Sequence, residues 1–583
     1  MPASMADRTP ASLSLLAAAV ALRRRASLEW AASPLYHAWL SWPRPEGLAA
    51  TPRTLRPADP ENGRRILAGA FVIDGETLAM GPRGDPWDRP SPSLRFASGL
   101  HGFGWLPDLV AHGDPGAWEA LRLTLAWRRL FGRWNGFAWD PAILERRVFN
   151  LACAVRALSA PASDAEAEQV AGDLARQARF LLDVREGPVR ASERAAAAAV
   201  AGAALGGGAG ARLLDRALDR LRLALPATIS PDGGHASRSP QAALELLFDL
   251  TTLDEALVQR GMAAPDELLR ANDRLASAVR FFTLADGRLA AFQGGEALSA
   301  SYVAAARAQD ELGERSVPVV RGGYQRLAAR SLQVVADAAP PAAGVWSQAA
   351  CAQPLAIEVL AGGRRLIVGA GGSPQAHAPA ALRLVDAAST ASVGDAACGQ
   401  PLQGFAARAL GPRLTGAVDA VEARRHEAPG ALWLELSHDG WVRRFGLRHE
   451  RRLYLDLEAD ELRGEDRLTP AAARSGRDGR RFLSFVVRFH LHPQVSALVA
   501  RDGRSVLLKA EGEETGWWLR NDALDVALEP SVHYLDGRPR RSQQIVLRGQ
   551  ARLDVGAKVR WKLSAATPGR ADDSLVDVGR RPD

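Results

Sequence analysis

Between residues 100 and 310 the apolar positions recur with the period of a helix. Leu144, Val148, Leu151, Val155 and Leu158 share one face, and Leu214, Leu218, Leu221 and Leu225 repeat the spacing. Two more stripes follow, Leu246, Leu250, Leu253 and Leu257, then Leu268, Leu275, Val279 and Phe282, separated by turn-forming residues from Gly261 to Pro265. Each stripe needs a neighbour to bury it. Successive helices with short connections and no strand signal between them predict an all-helical array of antiparallel pairs, whose loops at one end make a natural site. Near the start, the apolar run from Leu13 to Leu22 is followed rather than preceded by Arg23, Arg24 and Arg25, the wrong order for an export signal. No run approaches the roughly 18 uncharged apolar residues of a membrane span. Residues 11 to 40 therefore read as an amphipathic helix packed on the domain.

After Gly322 the period changes to two. Segments such as Ser331 to Val335, Leu355 to Val359, Leu432 to Leu436, Leu453 to Leu457, Gln544 to Leu547 and Lys558 to Leu563 recur between turns without intervening helices. They predict an antiparallel sandwich of two large sheets. The clearest strand is 481–493, with Leu483, Phe485, Val487, Phe489 and Leu491 on one side and Ser484, Arg488, His490 and His492 on the other. One face is core. The other offers a guanidinium and two imidazoles to solvent, to a carboxylate or to a metal. The domain boundary is placed in the polar stretch Gln309 to Arg315, giving a helical domain over 1–315 and a sandwich over 316–566. The Gly-, Arg- and Asp-rich stretch 567–583 reads as a disordered tail.

The composition is that of a folded soluble chain, with 47% hydrophobic and 24% charged residues over 583 positions. Its net charge is +7, and nearly all of the positive charge is arginine, since Lys occurs only at 509, 558 and 562. Arginine's planar fork pairs bidentately with carboxylate or sulfate, so an acidic polymer is the expected partner. Cys153, Cys351 and Cys398 show neither a metal spacing nor a disulfide framework. The chain lacks a Gly-x-x-x-x-Gly-Lys phosphate loop, a Gly-x-Ser-x-Gly elbow and a His-Glu-x-x-His pair. No nucleic-acid-binding module accompanies the dispersed arginines, so nucleic acid is not an expected partner.

A helical half followed by a sandwich carries several local motifs in order. They are Trp139-Asp-Pro-Ala-Ile-Leu-Glu-Arg-Arg-Val-Phe-Asn150, Asp232-Gly-Gly-His-Ala-Ser-Arg-Ser-Pro240, Ser437-His-Asp-Gly-Trp441, the 448–468 hairpin and Arg488-Phe-His-Leu-His-Pro493. In this the chain resembles the heparinase II/III family of polysaccharide lyases over about residues 30–565. The resemblance implies an N-terminal (α/α) toroid followed by a C-terminal antiparallel β-sandwich, a cell-envelope or periplasmic setting, and β-elimination on a uronate-containing polysaccharide. That reaction requires a base for the sugar C5 proton, a group to neutralise the C6 carboxylate and an acid for the leaving oxygen. With no clear signal peptide, a cytoplasmic location stays open.

The residues the resemblance leads one to expect are mostly replaced. Ala242 stands at the position aligned with the catalytic Tyr, and Gly187-Pro-Val-Arg190 replaces an Asn-His segment. Cys351 stands where a sandwich His is expected, Gly369 where a metal-binding Asp is expected, and Ala388-Ser389-Thr390 replaces His-Ser-Thr. Only His438 remains as a possible zinc ligand, so no metal and no cofactor are expected. His235 is left as the candidate proton acceptor, and Arg147, Asn150, Arg238, Arg488 and His490 as candidate substrate-binding residues. Plainer readings stand beside these: Arg147 and Asn150 bonding an adjacent helix, Arg238 pairing with a nearby acid, and Arg488 and His490 lying on a half-exposed sheet face with incidental histidines. A scaffold that has lost its acid and base and only binds or assembles glycan is the alternative to a lyase.

Overall fold

A computed structural model describes residues 11–184, 187–308, 317–372, 378–472, 481–535 and 537–566. The expected boundary at 309–315 and the tail 567–583 lie outside the described residues. Two compact units divide the chain: Met1–Gly233 with Ala243–Ala276 and Ala304–Asp310, and Gly234–Ala242 with Ser277–Val303 and Glu311–Asp583.

The first unit is built on helices Asp114–Phe131, Pro141–Ser159, Asp164–Asp183, Ala191–Ala204 and Gly207–Thr228. Their starts are written locally. Asp140 caps the second through Ala142 N–H, and Ser163 with Glu166 forms a reciprocal capping box on the third. Ala191–Ala204 packs against the helices on either side, and Ser192 through Ala204 are all buried. Small side chains permit that approach: a Cβ on Gly202 would lie 2.6 Å from Leu214 N.

The N-terminal segment departs from expectation. It forms two helices, Ala11–Ala31 and Pro34–Leu40, and only the second is well anchored, through Tyr36 and Leu40. In the first, Leu15, Leu22 and Trp30 are exposed. Its apolar residues are spread around the helix instead of forming the single stripe that packing would require.

The second unit is a sandwich of antiparallel sheets. One sheet runs in the order Val421–Ala428, Ala431–His438, Leu447–Asp456, Glu461–Pro470, Ala557–Ala565, Trp517–Asn521, Ser505–Ala510, Val495–Val499. The other runs Asp525–Leu535, Arg538–Arg552, Phe482–Leu491, Arg364–Val368, Ile357–Ala361, Leu332–Asp337, Tyr324–Ala328, Val320–Arg321, with Ala391–Val393 also pairing Phe482–Leu491. Their inner faces meet in one core, where Phe489 of one sheet and Trp561 of the other stand edge to face at 4.9 Å between centroids.

Strand Phe482–Leu491 keeps the expected alternation on its core side, with Phe485, Val487, Phe489 and Leu491 buried. Its polar side is exposed at Ser484, half-buried at Arg488, and becomes buried at the C-terminal end, at His490 and His492. The unit also draws in Gly234–Ala242 and Ser277–Val303 from the sequence region expected to be helical. Ion pairs and hydrogen bonds hold these segments: Arg365 donates to Asp286 and Leu289 O, and Gln293 to Asp337.

Candidate functional site

In the helical unit, Arg147 is fully buried and serves the packing of helices. Its Nε donates to Gln177 Oε1 at 2.7 Å, its Nη1 donates to His101 O at 3.0 Å, and its guanidinium lies 4.3 Å above the Trp127 ring. Burial, with no acid beside it, pulls this guanidinium down to about 9. Asn150, one turn on, donates to Gly102 O at 2.9 Å. Both therefore bond adjacent helices, Arg147 through Gln177 of Asp164–Asp183 and both through the end of helix Leu94–His101.

Sequence reasoning missed the ionic cluster around these residues. Asp249, 1% exposed, receives both Arg56 and Arg146, and Glu145, 0% exposed, receives Arg190 through two bonds of 2.6 and 3.0 Å. Both Arg56 and Arg146 lie over Phe149, at 5.2 and 5.1 Å from its centroid. Arg56 also binds Glu245. These arginines are matched by carboxylates of the same unit, so the cluster is no ready acceptor for a polyanion. Nothing in the local sequence pairs residues this far apart.

In the sandwich unit, Arg238 sits at φ 62°, a left-handed backbone that arginine seldom adopts. That turn aims the guanidinium inward. Nε donates to Gly322 O, Nη1 to Ala339 O and Pro340 O, and Nη2 to Gly323 O and to Asp337 Oδ1 at 2.6 Å. The five bonds equal the five donors a guanidinium has. Tyr324 stacks below at 4.6 Å and donates its hydroxyl to Arg238 O. Arg238 was expected to meet a substrate carboxylate, and an internal one, Asp337, takes that place.

His235 is buried, and its Nδ1 accepts the Ser237 backbone N–H at 3.1 Å, with Ser237 Oγ 2.7 Å away. The ring stands perpendicular to Trp346, 5.8 Å between centroids. Ala242, four residues beyond Arg238, supplies no acid or base. Cys351, tied by its N–H to Gln293 Oε1, is buried, and burial pushes its thiol up to about 12, so it stays protonated.

Arg488 and His490 lie close to one segment of the same unit. Arg488 Nη1 donates to Ser392 Oγ at 2.6 Å and meets Asp386 Oδ1 at 2.8 Å. His490 Nε2 faces Asp386 O at 3.0 Å, and a carbonyl can only accept, so that nitrogen carries the proton. Nδ1 then accepts from Ser531 Oγ at 2.8 Å. Burial holds this imidazole down at about 4, and it is neutral at pH 7.

The positions at which the resemblance implies zinc ligands gather in the sandwich. Ala370 N–H donates to Ala387 O, Ser389 Oγ to Val368 O, and Arg451 to Ser389 O. Gly369 and Ala388 contribute no ligand atoms there. His438 Nδ1 already accepts Gly440 N–H, and burial keeps the thiol of nearby Cys398 well above its ordinary value and protonated. Among the described residues no three His, Cys, Asp or Glu side chains are grouped to hold a metal. The residues present do not fit a zinc site.

Comparison with known proteins agrees with this architecture. The family described as Heparinase II/III-like, C-terminal matches residues 312–562. A curated relative, FtsZ-localized protein C of Caulobacter vibrioides, is 52% identical over 541 residues, covering 92% of this chain and 94% of that protein. The chain belongs to the heparinase II/III family. Among solved heparinase II/III folds, heparinase III matches with a TM-score of 0.69 at 13% identity, covering 91% of this chain and 89% of the other. Heparan sulfate lyase HepC from Pedobacter heparinus matches at 0.57 and 14%, covering 92% and 88%. The fold is thus a helical toroid followed by an antiparallel β-sandwich.

Proposed function

We propose that this protein keeps the heparinase II/III scaffold as a non-catalytic component that localises with FtsZ. The observation that carries the first part is Arg238, whose donors are occupied by Asp337 and four carbonyls. The other candidates are also engaged within the protein: Arg147 and Asn150 bond inside their own unit, Arg488 meets Ser392 and Asp386, and His490 is buried and neutral. A lyase for a uronate polymer needs a cation free to neutralise the C6 carboxylate and a base within reach of C5. Ala242, Cys351, Gly369 and Ala388 supply neither. Support for the second part is the 52% identity, over nearly the whole of both chains, with a protein named for its localisation with FtsZ.

Two measurements test the reading. The purified chain is incubated with a panel of uronate polymers, and the ultraviolet absorbance of the unsaturated product is followed. No product is expected, and product from any polymer, lost on His235→Gln, would restore the lyase reading. Separately, a fluorescent fusion of the full chain is imaged beside labelled FtsZ. Coincident signals are expected, whereas a fusion spread evenly through cells with intact FtsZ structures would overturn the localisation.

A further inference from the structure

The Gly440 and Arg451 bonds described above are the two ends of one polar chain through the sandwich core. Gly440 N–H donates to His438 Nδ1 at 3.0 Å, His438 Nε2 meets His449 Nδ1 at 3.2 Å, and His449 Nε2 meets Asp466 Oδ1 at 2.9 Å. The backbone N–H fixes every proton that follows. Because it can only donate, His438 Nδ1 is an acceptor and His438 carries its proton on Nε2. His449 Nδ1 then accepts, and His449 donates from Nε2 to the carboxylate. Two neutral imidazoles satisfy the run, and all four ring nitrogens are engaged.

Asp466 is closed off in the same way. Its Oδ1 also accepts Arg451 Nε at 2.7 Å, and its Oδ2 accepts Arg451 Nη2 at 3.1 Å and Trp561 Nε1 at 3.0 Å. Arg451 Nη1 extends to Leu355 O at 2.9 Å and Ser389 O at 2.8 Å. Ser389 adjoins Ala388, where the family resemblance implies a histidine. Arg451 and His449 are fully buried, and His438 and Asp466 are 2% exposed. A divalent ion entering here would have to displace a guanidinium that is already paired with the only carboxylate in the run.

We infer that the guanidinium of Arg451 serves as the fixed counter-charge of this core, so that the sandwich of this protein folds without metal. The carboxylate and the carbonyls need a positive centre. Arg451 supplies it from the chain itself, with planar, bidentate geometry. Folding is then uncoupled from metal supply, in contrast to sites whose binding free energy is folding free energy.

The test uses the full chain purified without added metal. Elemental analysis is expected to find zinc far below one per chain, and a strong chelator is expected to leave the melting temperature unchanged. Stoichiometric zinc whose removal lowers the melting temperature would overturn the inference. The role of Arg451 is read separately. Arg451→Met should lower the melting temperature sharply by stranding Asp466, and Arg451→Met combined with Asp466→Leu should recover most of the loss. Should the single variant not fold, Arg451→Lys retains the charge and is expected to fold with a lowered melting temperature. A double variant no more stable than the single one, or Arg451→Lys as damaging as Arg451→Met, would show that the guanidinium is not the counter-charge.

Discussion

Arg238 and Asp337 form a buried ion pair, Nη2 to Oδ1 at 2.6 Å, with side chains 10% and 2% exposed. Removing one partner leaves the other charged and desolvated. Arg238→Ala is therefore expected to cost about 3 to 5 kcal/mol of folding stability, measured by urea denaturation. A variant as stable as the parent would mean that the fork is not needed inside and would reopen its use for a ligand.

The helical unit offers a paired comparison. Asp249 and Glu245 both receive Arg56, but Asp249 is 1% exposed and also holds Arg146, whereas Glu245 is 34% exposed. Asp249→Ala should lower the melting temperature clearly more than Glu245→Ala, since water can replace the exposed acid but not the buried one. Equal losses would contradict this account of the cluster.

Acid should weaken the sandwich. His490, His492 and His533 are each held at about 4, chiefly by burial, against an ordinary value near 6.5. The unfolded chain takes up protons first, so the stability contributed by these neutral rings is present above about pH 6.5 and is lost as pH falls towards 4. The urea midpoint is expected to fall over that window, and His490→Gln to shallow the slope. A pH-independent midpoint would contradict the buried, neutral assignment.

Gly464 faces the Trp561 ring so closely that an added Cβ would lie 2.1 Å from it. Gly464→Ala must push the indole aside and strain its hydrogen bond to Asp466. The expected loss is on the order of 1 to 3 kcal/mol, read from the melting temperature. A neutral substitution would mean that the two sheets can part locally without cost.

What the sequence made legible was burial on one side of an element. Every member of the stripe Leu144, Val148, Leu151, Val155 and Leu158 is in the core, as are Phe485, Val487, Phe489 and Leu491. Period reveals a face but not what a charged residue pairs with. Glu145 and Arg147 sit among those leucines, and their burial depends on Arg190 and Gln177, 45 and 30 residues away. Arg238 finds Asp337 only 99 residues on. Strand Val421–Ala428 was missed for a related reason: its sequence is Val-Glu-Ala-Arg-Arg-His-Glu-Ala, with no apolar alternation. It lies at the margin of a sheet, where little of it needs burying.

That marginal strand also governs how the molecule meets copies of itself. Among the described residues Val421–Ala428 pairs on one side only, with Ala431–His438, leaving a sheet edge of the kind through which sheets grow end to end. A second molecule approaching antiparallel and centred on the strand would set Arg424 against Arg425 and Glu422 against Glu427. Like charges would face one another at four of the strand's eight positions, which opposes the match in that register. Where copies crowd together, this edge therefore resists joining its own kind in that register, and charge rather than bulk guards it.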